Sequence, residues 1–128
     1  MKRDIHKIET VQRRFTKRLN GFYNLLSSCR LARLSLDSLY CRRVKSDLIM
    51  CYKVLHNMDS IDCNALFQRS QVSHTRGSSM KHHVSSRRDG HFFANRVVNI
   101  WNSLPDHTVA FHSVACFKLK LSKFHFNE

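Results

Sequence analysis

Residues Phe92 to Pro105 read F-F-A-N-R-V-V-N-I-W-N-S-L-P and hold the only tryptophan and the only proline of the chain. Phe93, Val97, Ile100, Trp101 and Leu104 recur at steps of three and four, the spacing of one face of an α-helix. Asn95, Asn99 and Asn102 fall on the other side. The pattern stops at Pro105, which has no N–H to continue a helical ladder. The stretch therefore predicts a short helix with a heavy aromatic anchor, and such a helix needs something to pack against.

Helical patterns recur on both sides of it. Downstream, Pro105-Asp106 reads as a turn, and Ser113 is placed to cap a last helix. In that helix Val114, Phe117, Leu121 and Phe124 form a stripe, with Lys118, Lys120 and Lys123 pointing away from it. Upstream, Asp37 or Ser38 begins a long helix that runs to about His56. Val44, Leu48, Cys51, Tyr52 and Leu55 form its main face, while Ile49 and Met50 point elsewhere, so more than one side is expected to be covered. A shorter helix fits residues 27–36, started by Ser27 or Ser28 and carrying Leu31, Leu34 and Leu36. Asp62 is placed to cap one further turn containing Ala65, Leu66 and Phe67.

The N-terminal pattern is the most amphipathic. Ile5, Ile8, Val11, Phe15 and Leu19 make one apolar stripe. At about 100° per residue, Arg3, Lys7, Arg14, Lys17 and Arg18 gather on the opposite side. The helix is expected to end near Asn20-Gly21, because glycine readily takes the left-handed conformation of a helix C-cap. Residues 68–91 break the periodicity. They are rich in Ser, His and Arg and read as a long, flexible basic loop, with room for a short extended segment around Ser79–Val84. The fold expected from these patterns is mainly α: a small irregular bundle of four to five helices around the Asp37–His56 helix, in a single domain over residues 1–128.

Charge is the compositional outlier. The chain carries 22 Lys+Arg against 9 Asp+Glu, a formal charge of +13 before any of its nine histidines protonates. Such a field attracts polyanions, of which nucleic acid is the commonest inside a cell. An anionic membrane surface fits less well, and no stretch approaches the roughly 20 apolar residues of a membrane span. Met1 leads straight into Lys2, Arg3 and Asp4 without the apolar core of a secretory signal. Five cysteines, an odd number, fit reduced thiols better than a disulfide framework. The chain thus reads as intracellular, in the cytoplasm and/or nucleus.

Catalytic and metal chemistries find little support. Cys29, Cys41, Cys51, Cys63 and Cys116 offer no C-x2-C pair, so no metal site is expected. No G-x-S-x-G nucleophile motif occurs, and the carboxylates are scattered singly rather than clustered for two-metal nucleotidyl transfer. No cofactor loop is present, and the chain by itself is not expected to be an enzyme. Nucleic-acid binding is the best supported chemistry. Arg13, Arg14, Lys17 and Arg18 are the first candidates for phosphate contact, and Arg76, Lys81, Arg87 and Arg88 in the loop are the second. His82, His83 and His91 also stand in the loop, where solvation is the ordinary fate of such residues.

Five stretches, taken in order, resemble the C-terminal tail of LINE-type (non-LTR, jockey-like) retrotransposon reverse transcriptases. They are V-Q-R-R-F-T-K-R-L at Val11–Leu19, S-D-L-I-M-C-Y-K-V-L-H at Ser46–His56, H-T-R-G-S-S-M-K at His74–Lys81, the Phe92–Pro105 segment, and F-K-L-K-L at Phe117–Leu121. The resemblance covers nearly the whole chain. In that family the tail lies downstream of the polymerase fingers, palm and thumb, in a protein that copies its own RNA into DNA. None of those catalytic segments is present here. The resemblance implies a non-catalytic accessory region that binds RNA and/or DNA in the service of an RNA-directed DNA polymerase, with that upstream polymerase domain as a further partner. Two alternatives stand beside it. One is a structural module whose Ile5–Leu19 and Val114–Phe124 stripes dock on the thumb; the other is a decayed element product without function.

Overall fold

A computed structural model describes residues 2–69, 82–84, 93–110, 113–124 and 126. Among these the chain is mainly α, with helices α1 (Lys2–Lys17), α2 (Ser27–Arg33), α3 (Leu39–Leu55), α4 (Cys63–Leu66), α5 (Phe93–Ser103), α6 (Asp106–Val109) and α7 (Val114–Ser122). Two three-residue strands, β1 (Phe67–Arg69) and β2 (His82–Val84), pair antiparallel with Phe67 opposite Val84. The four to five helices expected become seven. The additions are single turns: α4 follows the Asp62 cap, whose carboxylate accepts from the Asn64 N–H at 2.9 Å. α6 lies where a simple turn was expected after Pro105, because the Pro105 carbonyl accepts from Thr108 at 2.8 Å and begins a helical turn instead.

The chain divides into two compact units, Met1–Val44 with His125–Glu128, and Lys45–Phe124; the boundary falls within α3. In the second unit, α3 buries Leu48, Cys51, Tyr52 and Val54, and α5 buries Ala94, Val97, Val98 and Trp101. α7 contributes Phe117 and Leu121. Phe117 is the hub: its ring stacks on Tyr52 at 4.5 Å and lies 6.0 Å from Trp101. The apolar spacing of Phe92–Pro105 thus does what it predicts, with Val97 and Trp101 in the core. A bidentate ion pair joins α5 to α3, Arg96 Nε and Nη2 donating to Asp47 at 2.9 and 3.0 Å.

Helix ends follow local chemistry. α3 begins where Ser38 Oγ accepts from the Cys41 N–H at 3.1 Å. It ends with Asn57 at φ +52°, the Asn57 and Met58 N–H groups reaching back to the Val54 and Lys53 carbonyls. α2 closes in the same way at Ser35, φ +53°. α1 ends at Lys17, before the Asn20-Gly21 stop that the sequence suggests, although Gly21 does adopt φ +78°.

All five cysteines are free. Cys29 and Cys116 are exposed, Cys41 and Cys51 buried. Burial pushes the Cys51 thiol far above its ordinary range, and the nearby Cys63 sulfur adds to the rise. Only thiolate reacts with a disulfide reagent. At pH 8 the native chain is therefore expected to react quickly at Cys29 and Cys116, and Cys41 and Cys51 only after denaturant is added. Mass mapping of labelled peptides checks this, and fast native labelling of Cys51 would contradict the packing described.

Candidate nucleic-acid interface

The first unit is organised around α1, and the face that α1 buries is not its apolar one. Glu9 and Thr16 are buried, and Gln12 is half-buried beside them. The Glu9 carboxylate accepts from the Tyr40 N–H at 2.7 Å, and Gln12 Nε2 donates to the Asp37 carbonyl at 3.2 Å. Glu9 therefore sits at the N-terminus of α3, where unsatisfied N–H groups and the helix dipole favour a negative charge. The apolar stripe stays outside: Ile8 is 53% exposed, Val11 66% and Phe15 67%. The physical reason is the hydrogen bonding of the polar face. Each of those contacts satisfies a backbone group of the neighbouring segment, and only that side of α1 can supply them.

Arg30 on α2 completes the arrangement. It is buried at 6% exposure, with acceptors that are all neutral. Its Nε donates to Thr16 Oγ1 at 3.2 Å, one Nη to the Arg13 carbonyl at 3.2 Å, and the other Nη to the Leu25 carbonyl. One guanidinium thus ties the 18–26 turn and α2 to the C-terminal end of α1. The positive charge also complements the negative end of the α1 dipole.

This end of the unit is strongly cationic. Between Glu9 and Asp37 the chain has no acidic residue but carries Arg13, Arg14, Lys17, Arg18, Arg30 and Arg33. All of these except Arg30 are exposed. The first set of predicted site residues, Arg13, Arg14, Lys17 and Arg18, therefore lies together on the last turns of α1 and the residue after it. The second set, Arg76, Lys81, Arg87 and Arg88, lies outside the described residues, as does the body of the 68–91 loop; β1 and β2 occupy 67–69 and 82–84. Sequence reasoning missed Arg33, whose guanidinium stands 5.8 Å over the Phe22 ring, and Arg30. The missing acids over residues 10–36 were a readable signal for the first; nothing local marks the second.

Beside Arg13 lies a cleft of about 400 Å³ lined by Glu9, Ser27, Ser28, Ser38 and Tyr40 among others. Among the described residues no three His, Cys, Asp or Glu side chains cluster as metal ligands. No helix among them is long and apolar enough to cross a membrane. Comparison of the chain with protein-family models, curated proteins and solved structures finds no match.

Proposed function

We propose that this chain is a non-catalytic nucleic-acid-binding accessory region, of the kind that follows the polymerase in non-LTR retrotransposon reverse transcriptases. The observation that carries the reading is the acid-free cationic end of the first unit, with Arg13, Arg14, Lys17, Arg18 and Arg33 exposed together. Charges so placed, undiluted by carboxylates, track a phosphate backbone and release its counterions. The parentage rests on the ordered set of sequence stretches given above, and its RNA-directed DNA polymerase context belongs to the same proposal. Binding of the purified chain to labelled RNA is expected to weaken steeply between about 50 and 200 mM salt. Absent binding, or binding indifferent to salt, would sink the reading.

A second reading is favoured by a specific observation. The exposed Ile8, Val11 and Phe15 stripe suits docking on another protein surface, such as an upstream polymerase thumb. The Val114–Phe124 stripe suits it less, since Phe117 and Leu121 are buried within the second unit. If docking is the role, the isolated chain is expected to be molten and to order only with that polymerase.

A further inference from the structure

We propose that the cationic end of the first unit binds single-stranded rather than double-stranded nucleic acid, with unpaired bases stacking on Phe15 and Tyr23. The proposal rests on the nucleic-acid reading above and names its substrate class. Its starting point is a feature that phosphate contact leaves unexplained: two aromatic rings stand in water amid the cations, Phe15 at 67% and Tyr23 at 65% exposure. A third ring, Phe22, is half-buried and already covered by the Arg33 guanidinium.

Both rings belong to the segment that carries the cations, and hydrogen bonds hold that segment together. Phe15 follows Arg14 in sequence and lies one turn before Arg18, whose N–H donates to the Phe15 carbonyl at 3.0 Å. Arg14 and Arg18 are thus held within one turn of the ring along the chain. Tyr23 is two residues from Leu25, and the Leu25 carbonyl shares the Arg30 guanidinium with the Arg13 carbonyl. The turn bearing Tyr23 is thereby fastened to the basic end of α1.

Basic groups interleaved with exposed aromatics are the ingredients of single-strand recognition, where cations follow the backbone and each ring accepts a base. A duplex offers stacking rings far less. Its base faces are stacked on one another, and a ring reaches one only by wedging into a base step and unstacking it, at a cost of a few kcal/mol. Charge complementarity points in the same direction. An acid-free patch repels a basic partner, while a single strand supplies both the anions and the flat apolar faces that Phe15 and Tyr23 lack.

The test compares fluorescence anisotropy of the full chain with a labelled oligothymidylate of about 20 nucleotides, longer than one single-strand site, and with a mixed-sequence duplex of equal length. The single strand is expected to bind at least about tenfold tighter. Phe15→Ala and Tyr23→Ala are each expected to lose about five- to tenfold of single-strand affinity, the low end of a one-base stacking contact, with the salt slope unchanged. Both residues are exposed, so far-ultraviolet circular dichroism should match the parent. Phe15→Leu distinguishes stacking from simple greasiness, because it keeps apolar surface without a ring. Equal affinity for both probes, or a Phe15→Leu variant that binds like the parent, overturns the single-strand proposal while salt-dependent binding leaves the broader reading standing. No salt-dependent binding to either probe overturns both.

Discussion

Replacing Phe117 with alanine is expected to lower the stability of the second unit by about 3–5 kcal/mol, the range for deleting a fully buried aromatic ring. Phe117 has no exposed surface, and its ring is shared between Tyr52 on α3 and Trp101 on α5. Removing it takes away the buried area of the ring and also opens a void that three helices must either leave or collapse into. The reporter is built in. Trp101 is the only tryptophan and lies in that unit, so its fluorescence during denaturant unfolding follows that unit alone. A midpoint within experimental error of the parent would mean that α7 is not the keystone of this core.

Arg30→Ala is the second large effect, about 2–3 kcal/mol, and it falls on the first unit. The substitution deletes three donors at once and strands the Leu25 carbonyl in a partly buried site, while the Thr16 hydroxyl keeps its bond to the Gln12 carbonyl. Because a hydrogen bond from a charged donor is worth more than a neutral one, their loss outweighs the relief of no longer burying the charge. Arg30→Lys is not expected to restore stability, since one ammonium cannot reach acceptors that the planar guanidinium addresses in three directions. Hydrogen exchange of α1 and α2 amides reads the outcome. A neutral or stabilising Arg30→Met would instead show that desolvating the guanidinium costs as much as its bonds contribute.

Much of this architecture could be read from the chain. α5 and α7 bury the residues that their spacing marks, Val97 with Trp101 and Phe117 with Leu121, because an apolar stripe on a core helix has only one profitable place to go. The Ser38 and Asp62 caps were legible for a similar reason, as each bonds a backbone N–H two or three residues on. α1 is the exception, and the reason is instructive. Its strongest periodic signal, Ile8, Val11 and Phe15, describes the outside of the helix. The side that packs is set by Glu9 meeting Tyr40, Gln12 meeting Asp37 and Thr16 meeting Arg30, pairings across 31, 25 and 14 residues. No local period encodes such distant partners. Arg30 is hidden for the same reason: its partners are carbonyls and a hydroxyl, which any sequence has in abundance.

The candidate site was legible in its charge and not in its aromatics. Arg13, Arg14, Lys17 and Arg18 stand out by type and by their closeness along the chain. Phe15 reads in the sequence only as one member of an apolar stripe, and its exposure is what makes it a candidate for base contact.

The central claim is that Arg14, Lys17 and Arg18 neutralise phosphates. The most direct measurement is the slope of log affinity against log salt for the parent and for the triple variant Arg14→Gln, Lys17→Gln, Arg18→Gln, on one single-stranded probe. Each phosphate contact on a single strand contributes about 0.7 to that slope, so losing three should flatten it by about 2. An unchanged slope in a folded triple variant would contradict the account.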